Sequence, residues 1–183
     1  MKNLIIILSI LISILSYSQT ELDLKILNLV NEYRIENSLK PLVWDTIVVK
    51  VSGNQVDYMS TTGHLVHDQL EEDSVIFKVT KTFEEKFTNK GIDFRCFVFE
   101  NCAVVFNVDT LSLNQIANYV VDGWKKSPIH NEIMLDPKMT NVGISHKKGN
   151  IYKEDGIDEF GELYTTTTKC EMEWFSLNGY GRK

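Results

Sequence analysis

After its first eighteen residues, the 183-residue chain has no long apolar run. A membrane-spanning helix needs about 20 such residues, so no span is expected beyond that start. A basic run is also missing: 19 Lys and Arg face 25 Asp and Glu, for a formal charge of −6. Nucleic acids and anionic membrane surfaces reward clustered positive charge, so both are excluded as expected partners. Cysteine is scarce, with only Cys96, Cys102 and Cys170. Their spacing fits no zinc-binding pattern. Three thiols allow one bridge with one left over, and all three pairings are open. Repeats and interdomain linkers are absent. The acidic stretch Glu154-Asp155-Gly156-Ile157-Asp158-Glu159 lacks the ligand spacing of a calcium loop and reads as part of a solvated loop over 154–162.

The first eighteen residues read as an export signal. Lys2 opens it, Leu4 to Leu15 is almost unbroken aliphatic, and Ser16 and Ser18 stand at the −3 and −1 positions before Gln19. No cysteine sits at the cleavage point, which argues against a lipid-anchored form. Removal leaves 183 less 18, or 165 residues, enough for one domain. A chain of that size buries roughly 70% of its unfolded surface and needs no disulfide to hold a core. Losing Lys2 brings the formal charge to 18 less 25, or −7. The expected locations are secreted, periplasmic or cell envelope. Export favours one disulfide, expected to constrain the Glu100 segment through Cys96 or Cys102. A single domain is expected over 19–175, with a polar, glycine-bearing tail at 176–183 that should fray.

The best-defined helix lies between Ser112 and Lys126. Ile116, Val120 and Trp124 recur every four residues, with Ala117 and Val121 alongside, so one face is apolar. Ser112 and Gln115 have capping-box spacing. Pro128 disfavours helical geometry at Ser127 and breaks the helix. Ser127 is then placed to cap a short new turn, with Pro128 at its first position. His130 falls just beyond the break, in the kind of place where sites are built. On spacing alone it need do no more than satisfy a local hydrogen bond. Earlier helices are predicted over 21–37, from Leu22, Ile26, Leu27 and Val30, and from Asp45 or Thr46 to about Ser60. The second has Ser52 weakening its apolar face and Gly63 at its left-handed cap. Val79, Phe83 and Phe87 predict a third helix near 79–89. Extended structure is expected over 94–106, 141–145 and 163–170, with a turn at Lys147-Lys148-Gly149-Asn150 and His146 exposed beside it. Trp44, Trp124 and Trp174 are assigned to the core. Helices first and strands late predict an α+β layered domain with a mainly antiparallel sheet.

Four stretches carry more than periodicity. They are Leu27-Asn28-Leu29-Val30-Asn31-Glu32-Tyr33-Arg34 followed by Ser38 to Asp45; Met59 through Gly63-His64-Leu65-Val66-His67; Glu100-Asn101-Cys102-Ala103; and Trp124-Lys125-Lys126-Ser127-Pro128-Ile129-His130, then Asn141-Val142-Gly143-Ile144. In this order they resemble the CAP superfamily of cysteine-rich secretory, antigen-five and pathogenesis-related proteins, built on the SCP domain, and above all its bacterial secreted branch. The resemblance implies an α-β-α sandwich, with a small antiparallel sheet between helical layers. It also implies a cleft in which His67, Glu100 and His130 match the family's histidine and acidic positions. His64 matches none and ranks second. Asn31 and Arg34 match a first-helix pair that ties the helix to loops. Two departures stand out. Phe99 replaces a glycine before the Glu-Asn pair and is placed to fill part of the cleft. Ser127 replaces a second acid, leaving a triad.

Two imidazoles and a carboxylate can hold a divalent metal such as zinc, or move protons near neutral pH. Hydrolysis would also need a nucleophile or a metal-activated water. No nucleophile is evident: Ser127 is as well explained as a cap, and Cys102 as an exported thiol subject to oxidation. Three readings follow. The resemblance suggests a binding module for lipid, sterol or cell-envelope ligands. The donor set allows a metal-assisted hydrolase with His67 and His130 as ligands and Glu100 as ligand or base. A satisfied polar network would make the chain an extracellular scaffold.

Overall fold

The computed structural model describes residues 19–70, 79–92, 96–157 and 163–182. The expected export signal lies outside them. Helix α1 (Glu21–Glu36) opens with a capping box between Thr20 and Asp23. Strand β1 (Val43–Trp44) leads into α2 (Thr46–Thr62), where the Asp45 carboxylate caps the amides of Ile47 and Val48. Gly63 closes α2 at φ 81°, a left-handed conformation that costs glycine little. Strands β2 (Gln69–Leu70) and β3 (Val79–Lys81) form a small ribbon ahead of the short helix α3 (Phe83–Thr88). Strand β4 (Cys96–Phe106) is followed by α4 (Leu113–Lys126), α5 (Pro128–Met134), β5 (Asn141–Ile157) and β6 (Leu163–Arg182). The main sheet runs β1-β5-β6-β4, with β1 parallel to β5 and the other pairs antiparallel.

Side-chain alternation along the strands divides this sheet between two helical layers. Phe99, Ala103 and Val105 of β4, Val142 and Ile144 of β5, and Phe175 and Leu177 of β6 pack against α1, α4 and α5. Their neighbours Val98, Cys102 and Val104, with Met172, Trp174 and Tyr180, pack on the other side against α2 and α3. This is the expected α+β sandwich. Gly143 brings α2 against β5: a Cβ there would lie 2.2 Å from the Val49 backbone nitrogen. Ser52, which weakened the apolar pattern of α2, is fully buried at this contact. Its hydroxyl donates to the Gly143 carbonyl at 2.7 Å, and its oxygen accepts from Asn178 at 3.1 Å.

Arg34 ties α1 to the rest, as expected. It donates to the carbonyls of Lys40, Met134, Asp136 and Met139. Asn31 exchanges two bonds with the Leu42 backbone. Trp124 and Trp174 are fully buried, and Trp44 packs at the core edge.

Several expectations are corrected. Residues 176–182 do not fray: they lie in β6, the strand with neighbours on both sides, and Ser176, Leu177 and Asn178 are fully buried. The turn at 147–150 is instead a bulge in one long strand, where the β5–β6 register shifts between Gly149 and Ile151. The acidic residues 154–157 continue that strand, and the rest of the expected loop, 158–162, lies outside the described residues. The third helix is shorter than predicted, because 79–81 form β3. No disulfide forms: Cys96, Cys102 and Cys170 are free thiols. Ser127 occupies the cap position of α5, but its side chain makes no capping bond.

Candidate functional site

Strand β4 is an edge strand of the main sheet, and its alternation sends Glu100 and Asn101 to opposite faces. Glu100 faces α2 and α3. Asn101 faces α4 and α5, where its side-chain amide donates to the His130 carbonyl at 3.0 Å. Trp124, on α4, donates its indole N–H to the Cys102 carbonyl. The helix break at Pro128 is thereby held beside β4, with His130 half-buried on α5. Burial, and then the charge of His67, hold the His130 pKa below the usual histidine value.

His67 lies on the loop that follows the Gly63 cap. Gln55, buried on α2, holds this loop by donating to the Val66 carbonyl at 2.5 Å. The His67 ring remains half-exposed, and its Nδ1 lies 2.9 Å from Glu100 Oε1. A carboxylate there assigns the proton to Nδ1 and leaves Nε2 as the acceptor. His64 is elsewhere: it forms an isolated bridge with Lys153 at the β5 side. Phe99 packs partly buried against the α1–α4 core, on the face opposite Glu100 and shared with Asn101.

Glu100 is 3% exposed, and its charge is met by a residue that the sequence did not single out. Lys86 of α3, 1% exposed, donates to Glu100 Oε1 at 2.9 Å and Oε2 at 2.8 Å. The same ammonium reaches Gln55 Oε1 at 3.0 Å and the His67 carbonyl at 2.6 Å. Phe87, fully buried beside it, anchors the short helix in the core. A lysine near an apolar pattern ordinarily reads as a solvated residue. The only signal for it was indirect: a buried Glu100 demands a partner, since an unpaired buried charge is costly.

Cys102 completes the cluster. Its sulfur lies 4.0 Å from His67 Nδ1. Burial first, and the Glu100 charge next, push its thiol pKa well above the ordinary value, so it stays protonated and a weak nucleophile. The donor set therefore does not fit a divalent ion on Glu100, because both carboxylate oxygens already accept from an ammonium. The imidazole Nε2 of His67 and the ring of His130 are the groups left for an outside ligand.

A second polar cluster lies on β5. His146, expected to be exposed, has its Nδ1 2.5 Å from Glu173 and its Nε2 3.0 Å from the Thr20 hydroxyl. It borders a cavity of about 370 Å³ lined by Asp23, Gly53, Asp57 and Lys147 among others. Burial lowers its pKa, but the Glu173 bond and the charges of Asp23 and Glu173 raise it above the ordinary value overall. Burial raises the Asp23 pKa.

The chain and its fold have counterparts among known proteins. A model of the Cysteine-rich secretory protein family (CAP) matches residues 27–156. Among solved structures, the fold resembles an extracellular SCP-domain protein from Bacillus anthracis, with TM-score 0.54 and 19% identity over 87% of this chain and 39% of that one. It also resembles an outer surface protein from Borrelia burgdorferi, with TM-score 0.53 and 16% identity over 91% of this chain and 97% of that one. A cysteine-rich secretory protein from Staphylococcus aureus has TM-score 0.51 and 14% identity over 87% of this chain and 38% of that one. The chain thus spans about two fifths of the Bacillus and Staphylococcus proteins. No curated protein matches it. With 130 of its 183 residues inside the family match, the chain belongs to the cysteine-rich secretory protein (CAP) family.

Proposed function

We propose that this protein is a secreted or surface-exposed binding module that takes a lipid, sterol or cell-envelope component at the edge of β4, between His67 and His130, and does no chemistry on it. The observation that carries this reading is the Lys86–Glu100 pair. A general base needs a free lone pair aimed at substrate, whereas Glu100 is buried and both its oxygens accept from Lys86. The nearby thiol is held protonated. The His67 ring is half-exposed and His130 is half-buried, and imidazoles suit polar head groups. Farther along the same strand lies an apolar groove of about 380 Å³, lined by Val104, Val105, Phe106, Leu111 and Tyr119 among others. Polar recognition beside an apolar groove suits an amphiphile. The bacterial relatives described as extracellular or outer-surface proteins support the location.

Native mass spectrometry of protein recovered from culture medium and envelope tests this reading. Bound amphiphile is expected, and less of it on a His67→Ala/His130→Ala variant that keeps its fold. Protein free of amphiphile from both sources would overturn the binding role. Hydrolysis of envelope material that disappears in Glu100→Gln would overturn the non-catalytic role.

A further inference from the structure

We infer that Lys86 is the resident cation of this cleft: its ammonium takes the position on Glu100 that a divalent metal would need, and its removal converts His67, Glu100 and Cys102 into a metal site. Metal-ligating atoms of these three residues all lie within 4.8 Å of one another. Among the described residues no other such group of three is present. Bonds to zinc or cobalt(II) run about 2.0–2.3 Å, so small side-chain shifts would bring all three onto one ion.

Charge decides what occupies the cluster. Glu100 supplies one negative charge, and Lys86 cancels it through two bonds of 2.8 and 2.9 Å. A divalent ion entering here would meet an ammonium at close range with no uncancelled negative charge to hold it. With Lys86 removed, the same groups present one carboxylate whose charge no ammonium cancels, one imidazole and one thiol that a soft or borderline metal can deprotonate. Lys86 also donates to Gln55 and to the His67 carbonyl, so it fixes the loop as well as balancing the charge. A protein lysine thus does the structural work that a bound metal would otherwise do. This inference concerns the cation position alone and stands whether or not an amphiphile binds outside it.

The test is titration of the full exported chain with cobalt(II), followed by the sulfur-to-cobalt absorption band and by competition with a chromophoric chelator. Wild type should show no thiolate band. Lys86→Met should show one and bind at least about a hundredfold more tightly, because a like charge beside the ion has gone. The band should vanish in Lys86→Met/Cys102→Ser, and affinity should fall in Lys86→Met/Glu100→Gln. If Lys86→Met is unfolded without metal, zinc should refold it, as read by circular dichroism. The charge-neutral Lys86→Met/Glu100→Gln should fold unaided. A thiolate band in wild type would overturn the inference, as would wild-type cobalt binding weakened by Glu100→Gln. So would a Lys86→Met variant that neither gains affinity nor refolds with zinc.

Discussion

Arg34 offers the sharpest test of how the site is held. Its guanidinium is 1% exposed and donates to four carbonyls: Lys40 at 2.9 Å, Met134 at 2.6 Å, Asp136 at 3.1 Å and Met139 at 3.2 Å. Three of these belong to the end of α5 and the connection into β5. Helix α5 has only seven residues and cannot stand alone. It is held by Arg34, by the Tyr33 hydroxyl on Asn131, and by Asn101 on the His130 carbonyl. Arg34→Met keeps the apolar stem and removes the fork. At about 1 kcal/mol net for each bond, the loss is about 4 kcal/mol. For a domain of this size that lowers the melting temperature by about 8–16 °C. Arg34→Lys should recover only part of it, since an ammonium cannot reproduce the planar fork. Urea unfolding followed by circular dichroism measures all three proteins. The His130 ring signals in NMR should broaden or shift in Arg34→Met. A Met variant within about 1 kcal/mol of wild type would refute the reasoning, because single hydrogen bonds are typically worth that much.

Stability should also depend on pH through His146 and Asp23. His146 has a folded pKa above 6.5, so its contribution is complete below pH 6.5 and is lost as pH rises through the raised value. Asp23, raised above 3.8, acts in the same direction at lower pH, while His130, lowered from 6.5, opposes it by favouring the folded state as pH rises toward 6.5. Urea midpoints should therefore fall above pH 6.5 in wild type and fall less in His146→Gln; equal slopes would refute the assignment. The thiols give a simpler test. All three should react with a thiol reagent in denaturant without reduction, and Cys102 should be the slowest in the native protein, being 5% exposed with its pKa pushed up. A count of one would restore a disulfide.

The helices were legible because their signals are local. The Ser112–Gln115 capping box and the four-residue apolar spacing place α4 at the predicted residues. The strands were less so, because their partners lie far along the chain. Nothing local says that Ser176 and Asn178 are core residues. They become so only because β6 lies between β4 and β5, with α2 over it. The lysine-rich segment at 147–148 looks like a turn, yet the sheet continues through it by absorbing a bulge. At the site, positional resemblance picked out His67 and Glu100, which touch, and His130, whose carbonyl is held by Asn101 of the same strand. It could not find Lys86. That residue matters only because of a carboxylate fourteen positions later, a dependence with no local pattern.

Phe99 allows the division of labour across β4 to be tested. Family resemblance expects a glycine here, but glycine is needed only for left-handed backbone or close approach. Among the described non-glycine residues only Ser38 and Asn107 have positive φ, so Phe99 is in ordinary strand geometry. The close approach is met on the partner strand instead: Phe99 pairs with Gly179, where an added Cβ would meet the Met139 sulfur at 2.5 Å. The ring packs partly buried against the core of α1 and α4, on the face away from Glu100. Phe99→Gly should therefore cost about 2–3 kcal/mol, combining lost apolar burial with the backbone entropy of glycine. The His67 ring signals should be unchanged at temperatures where the variant is folded, because the Lys86–Glu100–His67 network hangs from the opposite face. A stable variant with shifted His67 ring signals would reverse that assignment and place Phe99 beside the Glu100 network.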